Sequence, residues 1–223
     1  MPQFSIITIT KNNPDGFKKT KQSVESQNYN DFEWVVVDGD IEPDNGLYDA
    51  MNKGIDRAVG DYLIFMNAGD VFAAKDTLKT ISRYCPADFM YGDAMEGGFI
   101  KCARHHSKIA RGLITHHQAM VYARNIIGDR RYDERYPIAA DYKFTAEHLV
   151  KSKVCTYINK PLCIFETGGV SGRNASQGRA EQVDIRRELG MWAPLTPCRQ
   201  WTGQILKTHA PRLYLKLRVI FDK

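Results

Sequence analysis

EPDNGLYDAMNKGIDRAVGDYLIFMNAGD, Glu42 to Asp70, is the run whose reading decides the fold. Leu47, Met51, Ile55 and Ala58 recur at helical spacing, so Gly46 to Val59 is expected to form a helix with one apolar stripe facing a core. Gly60 is expected to close it. DYLIFM then reads as a buried strand, and it ends on the polar run Asn67-Ala68-Gly69-Asp70.

The same alternation continues upstream. FSIITIT, Phe4 to Thr10, is a β-branched strand, KNNPDG a turn, Phe17 to Gln27 a helix, and FEWVVV a second strand ending at Asp38. Downstream, Thr77 to Tyr84 reads as a helix and Asp88 to Tyr91 as a fourth strand. Strands alternating with helices predict an α/β fold with a mostly parallel central sheet flanked by helices. The second half is more mixed. A strand lies in HHQAMVYAR, a helix spans Ala139 to Val150, and strands span Val154 to Ile158 and Leu162 to Glu166. A glycine- and serine-rich loop, TGGVSGRNASQG, is followed by a helix over Ala180 to Leu189 and two further helical stretches. The expected division is a main domain over residues 1–175 and a helical extension over 176–223.

Composition excludes several classes. With 43% hydrophobic and 26% charged residues, the 223-residue chain is globular rather than disordered. No apolar run exceeds that of Tyr62 to Met66, far short of the roughly 20 residues that a membrane helix needs. Met-Pro-Gln-Phe leads straight into a strand, so no secretory signal is expected. Five cysteines without a close pair suggest reduced thiols in a cytosolic protein. The net charge is +5, and the segment Arg199 to Lys223, with six basic residues against Asp222 alone, carries the whole excess. A charge so localised argues against nucleic-acid binding. Within this segment Leu213, Leu217 and Ile220 form an apolar stripe beside Arg212, Lys216, Arg218 and Lys223, and Pro211 suits a first helical turn. That pattern fits an amphipathic helix on an anionic membrane surface; a terminal helix docked on the domain is the alternative.

Ligands of open α/β sheets bind outside the carboxyl ends of the strands. Thr8, Thr10 and Lys11, then Asp38, then Asn67 to Asp70 lie at three such ends. Any one of these groups also suits a cap or turn, but several at one crevice favour a site.

With these runs in view, the sequence closely resembles the inverting family 2 glycosyltransferases, and most of all those of bacterial exopolysaccharide and colanic-acid-type synthesis. Glu42 to Asp70 carries the likeness, together with FSIITITKNN, FEWVVVDG, HHQAMVY, YDERYPIAADYKFTAEHL and YINKPLCIFETGGVS, from about residue 4 to residue 172. The resemblance implies a GT-A fold, a UDP- or GDP-sugar donor, a saccharide or lipid-linked saccharide acceptor, and Mg2+ or Mn2+. It also implies a cytoplasmic enzyme, peripheral on the inner face of the membrane.

By the same resemblance, Asp70 is the metal ligand, in a motif with one carboxylate rather than two. Asn67 adds an amide oxygen or a ribose contact, Asp38 contacts the nucleoside, Thr8 meets the base and ribose, and Asn52 supports the donor pocket. Asp141 matches the catalytic base, which inversion needs on the face opposite the leaving nucleotide; an N-cap is its structural alternative. His117-Gln118 matches a family position near the acceptor. From the residues themselves, Asp93 either borders the acceptor site or serves a turn, and the loop Thr167 to Asn174 either closes over the donor, with Gly168, Gly169 and Gly172 as hinges, or is an ordinary connection. His105, His106, His116 and His117 lack the spacing of a metal cluster.

One departure stands out. Family members have a longer stretch between the strand-two acid and the EPDNG run, so here either the sheet loses an edge element or the pocket is rebuilt. Two other readings compete. VVVDGDI resembles a haloacid-dehalogenase-type phosphatase motif, with Asp38 as nucleophile and Asp40 as acid. An inactive interaction subunit of a polysaccharide assembly is the second.

Overall fold

The computed structural model describes residues 1–167 and 174–191. The basic segment 211–223, the hinge glycines Gly168, Gly169 and Gly172, and Cys198 lie outside the described residues.

The strands are β1 (Phe4–Thr10), β2 (Phe32–Asp38), β3 (Tyr62–Phe65), β4 (Val71–Phe72), β5 (Phe89–Glu96), β6 (Phe99–Lys101), β7 (Met120–Ala123) and β8 (Cys155–Phe165). The helices are α1 (Pro14–Glu25), α2 (Leu47–Arg57), α3 (Thr77–Ser82), α4 (Arg124–Ile127), α5 (Ala140–Lys151) and α6 (Ala175–Glu188). One sheet runs β2-β1-β3-β7-β5-β8-β4, with β6 paired to β5. Five strands, β1, β2, β3, β5 and β8, point the same way, and β4, β6 and β7 run against them. The α/β class and the dominant strand direction are as the sequence predicts. The insertion of antiparallel β7 between β3 and β5 is not visible in the sequence alternation, because it depends on a long-range pairing.

The pleat of β1 explains the two cores. Ile7 and Ile9 face α2 and α5, together with Tyr48, Met51, Ile55 and Phe144. Phe4 and Ile6 face the opposite side, with Val24 of α1 and Leu78 and Ile81 of α3. A third, smaller cluster joins Ala139 and Tyr142 to Ile185 of α6.

Local chemistry moved several boundaries. Helix α1 starts three residues early, because Asn13 Oδ1 accepts from Gly16 N–H (3.0 Å) and Pro14 fits the first helical turn. Helix α2 ends at Arg57, and Ala58, already extended, takes the cap that Gly60 was expected to provide. Gly60 instead lets the chain pass β1, since a Cβ there would lie 2.7 Å from Ser5 N. The two strands expected over 154–166 are one strand, β8, whose register against β5 shifts at Gly92/Asp93, opposite Pro161. A bulge of this kind accommodates proline within a sheet.

The short connection after β2 leaves β2 as the sheet's edge. It is pinned from three sides. Lys11 pairs with Asp44 (3.2 Å), Lys53 Nζ donates to Pro43 O (2.7 Å), and Arg57 donates to both oxygens of Glu42. The edge position of β2 fits the lost edge element that the sequence left open. Among the described residues, no helix is long and apolar enough to cross a membrane.

Gly54 packs α2 directly onto β1, and a Cβ there would overlap the buried Ile7 Cγ2. Helix propensity alone favours alanine at a helical glycine by about 1 kcal/mol. Gly54→Ala is nonetheless expected to destabilise the fold, because overpacking costs about 1–3 kcal/mol. Urea unfolding measures it, and a more stable variant would refute the contact.

Candidate functional site

The carboxyl ends of the five co-directional strands lie along one edge of the sheet. Thr10 and Asp38 stand opposite each other in the β1–β2 register. Asn67 to Asp70 follow β3, and Glu166 follows β8. The run after β3 is held as a tight loop. Asp70 N–H donates to Asn67 O (2.9 Å), Ala68 N–H to Ile9 O (3.1 Å) and Gly69 N–H to Gly16 O (3.1 Å). Thr20 Oγ1 donates to Asp70 O (2.7 Å) from α1.

Asp70 is 5% exposed. Its Oδ2 accepts from Gln118 Nε2 (2.6 Å) and its Oδ1 from Glu166 N–H (2.9 Å). Burial pushes the carboxyl up to about 7, and these two donors hold it lower than burial alone would. Gln118, which the resemblance sets with His117 near the acceptor, and Glu166, not among the site residues read from the sequence, therefore meet at this carboxylate. The position of Glu166 at a strand's carboxyl end, just before a glycine-rich loop, was the available signal.

Hard oxygen donors surround this loop. Asn67 Oδ1 is buried with no hydrogen-bond partner. Gly69 has a φ of +107°, and a Cβ there would overlap Glu166 Oε2. An orphaned amide oxygen beside carboxylates is the chemistry that Mg2+ or Mn2+ takes, so these residues fit a divalent cation. Among the described residues no three His, Cys, Asp or Glu side chains form a cage, so such an ion would share its coordination with a ligand or water.

Asp141 occupies the first turn of α5, with Oδ1 accepting from Tyr142 N–H (2.7 Å). Loss of water pushes its carboxyl up to about 6, against the opposing pull of Tyr142 N–H and the Tyr48 hydroxyl. Tyr48 opens α2 and donates to Ile138 O (3.0 Å), which brings the α5 entrance to the end of the β2–α2 connection. A half-buried carboxylate at a helix N-terminus, with a pKa brought toward neutrality, is suited to accept a proton.

The remaining sequence-derived residues sit as follows. Asp38 caps its own turn, accepting from Asp40 N–H (2.9 Å), and Asp40 is turned to Asn12 N–H (2.8 Å). Thr8 is fully buried, donating to Met66 O and accepting from Trp34 Nε1. The Asn52 amide clamps Tyr132, donating to its carbonyl (3.1 Å) and accepting from its N–H (2.7 Å). Asp93 is 5% exposed, and its Oδ1 accepts from Ala103 N–H and the Tyr157 hydroxyl at the β5 bulge. His117 stacks on Phe65 (4.8 Å) with Nε2 at 2.7 Å from the Tyr132 hydroxyl, and burial lowers its pKa to about 3, so it is neutral. The structure thus gathers Asn67 and Asp70 in one loop, sets Asp38 at the end of β2 and sets Asp141 on the first turn of α5. Thr8, Asn52, Asp93 and His117 are engaged in bonds within the fold.

No protein-family model matches the chain. It is 30% identical over 220 residues to an uncharacterized glycosyltransferase of Mycobacterium tuberculosis, a match covering 83% of this chain and 82% of that protein. A PGL/p-HBAD biosynthesis glycosyltransferase of the same species is 28% identical over an alignment of 254 residues, covering 97% of this chain and 98% of the relative. In structure it is similar to S. aureus TarS 1-349 in complex with UDP-GlcNAc, with a TM-score of 0.68 at 17% identity, covering 99% of this chain and 73% of that one. The chain spans 44% of the longer TarS structure. It is also similar to the mannosyltransferase PcManGT from Pyrobaculum calidifontis in complex with GDP-Man and Mn2+, with a TM-score of 0.60 at 16% identity over 100% of this chain and 88% of that one.

The Asn52 clamp generates a prediction. Asn52→Ala removes both bonds to the Tyr132 backbone and should cost about 1–3 kcal/mol of stability. Chemical denaturation reads this directly; unchanged stability would show that the clamp contributes nothing.

Proposed function

The chain belongs to the glycosyltransferases and has their GT-A fold, and from that premise we propose that it moves a sugar, with inversion, from a nucleotide-diphosphate donor to a saccharide acceptor. The observation that carries this reading is Asp141, a carboxylate brought toward neutral pKa on the first turn of α5, whose entrance the Tyr48 hydroxyl ties to the start of α2. In the proposed step the acceptor hydroxyl gives its proton to Asp141 as its oxygen bonds to the anomeric carbon, and the bond to the nucleoside diphosphate breaks on the opposite face. Asn67 and Asp70 would hold the divalent cation. When bound, it supplies positive charge against the departing diphosphate.

UDP- and GDP-sugars are the proposed donors, in keeping with the nucleotide sugars bound by the two structural neighbours. A lipid-linked saccharide in bacterial surface polysaccharide synthesis is the proposed acceptor. This accords with the basic segment Arg199 to Lys223 and with a peripheral position on an anionic membrane face. The phosphatase alternative gains no support, since Asp38 ends an edge strand and Asp40 is bound to Asn12 N–H.

Asp141→Asn should abolish transfer while leaving nucleotide binding nearly intact, as measured by thermal shift with UDP or GDP. Because the carboxyl is raised to about 6, the active base form exists above that pH and is lost below it. The acid limb of kcat/KM should therefore fall about tenfold per pH unit below roughly 6. Asp70 is raised to about 7 with no cation bound, so the profile is taken at saturating Mn2+, which would hold Asp70 charged across this range and leave the limb to Asp141. Near-normal turnover in Asp141→Asn would remove it from the mechanism. Deleting residues 211–223 should weaken salt-sensitive binding to anionic vesicles; equal binding by both forms would exclude the segment as an anchor.

A further inference from the structure

We propose that Glu166 supplies the second cation-binding carboxylate that the run Asn67-Ala68-Gly69-Asp70 lacks. The inference deepens the donor reading and rests on it. An acidic motif with one carboxylate binds a divalent ion weakly unless another oxygen joins it. Within the run, neither Ala68 nor Gly69 carries a side-chain oxygen. The structure fills the gap from a distant part of the chain, because a Cβ on Gly69 would overlap Glu166 Oε2. The carboxylate from the end of β8 therefore takes the space of a side chain at residue 69.

Three further observations fit a ligand rather than a surface acid. Asp70 Oδ1 accepts the Glu166 N–H at 2.9 Å, so the backbone that presents Glu166 is fixed by the same carboxylate that belongs to the motif. Asn67 Oδ1, in the same loop, is buried and unpartnered. The Glu166 side chain remains 44% exposed, with Oε1 paired to Lys19 Nζ at 2.9 Å and Oε2 receiving no hydrogen bond from any described residue. Oε2 is thus open to a ligand at the loop. The Lys19 ammonium, on the other oxygen, is a monovalent cation already drawn to this charge. Two carboxylates and an amide oxygen suit a hard divalent ion, with phosphate oxygens of the donor completing its coordination.

The opposite effects of two exposed substitutions test this. Mn2+ binding to the full-length chain is followed by loss of the free-ion EPR signal, with UDP and then GDP present. Glu166→Gln should weaken Mn2+ binding about tenfold or more, whereas Lys19→Met should tighten it by removing a competing cation. Both side chains are exposed, so melting temperatures should stay near wild type. Mn2+ binding by Glu166→Gln equal to wild type overturns the proposal, as does a wild type that binds no Mn2+. So does a Lys19→Met variant as weak as Glu166→Gln, because the ion pair would then only position the strand end. In each case a melting temperature raised by UDP or GDP leaves the donor reading standing. Loss of nucleotide binding altogether removes both.

Discussion

Asp70 is a carboxylate that the fold has withdrawn from water and then answered with bonds from two directions. Gln118 reaches it from the approach to β7, and Glu166 N–H reaches it from the exit of β8. Its own carbonyl accepts from Thr20 of α1. Elements far apart in sequence therefore meet at one residue of the loop after β3. Removing the carboxylate would leave a side-chain amide and a backbone N–H without their acceptor, so the geometry of the whole crevice edge depends on it. A carboxyl this buried favours its neutral form, and the two donors are what partly restore the charged one.

The sheet determines what can be gathered there. Because β1, β2, β3, β5 and β8 share a direction, their polar carboxyl ends emerge along one edge, while the helices cover the two apolar faces. Close backbone approaches keep the layers thin. Gly54 sets α2 onto β1 and Gly60 lets the chain turn beside Ser5. The loop after β3 reaches α1 through Gly69 N–H to Gly16 O and the end of β8 through Glu166 N–H to Asp70 Oδ1.

The first half of the fold is legible in the sequence because its signals are local. The stripe Leu47, Met51, Ile55 and Ala58 needs only helical periodicity, and FSIITIT needs only a β-branched run. The buried face of α2 is the one that stripe predicts. What depends on pairing across the chain was not legible. Antiparallel β7 sits between β3 and β5, the two short strands over 154–166 are one bulged strand, and β2 is an edge. The site divides in the same way. Asp38, Asn67, Asp70 and Asp141 stand out as polar residues at element ends. Sequence cannot tell which polar groups are already spent on the fold. Thr8 bonds Met66 and Trp34, and Asn52 clamps Tyr132. Gln118 and Glu166 join the site only through contacts about 50 and 100 residues away in sequence from Asp70.

Asp70 and Asp141 are raised by one cause, burial, yet their surroundings suit them to different work. Both oxygens of Asp70 receive strong, short donors from elements that must stay in place. Its carboxyl, raised to about 7, is drawn back toward the charged form by those bonds, and a bound cation would hold it there, which suits it to keep an ion in place. Asp141 has one oxygen anchored by its neighbour's N–H and stands on the first turn of a helix, where the helix field favours the charged form against the burial that opposes it. Those opposed effects leave its affinity for a proton between that of an exposed carboxylate and that of a fully desolvated one. A general base needs this intermediate position, since it must be deprotonated at working pH and still hold the proton that it takes. The two carboxylates thus divide the proposed chemistry by what holds them, elements distant in sequence for Asp70 and the first turn of its own helix for Asp141.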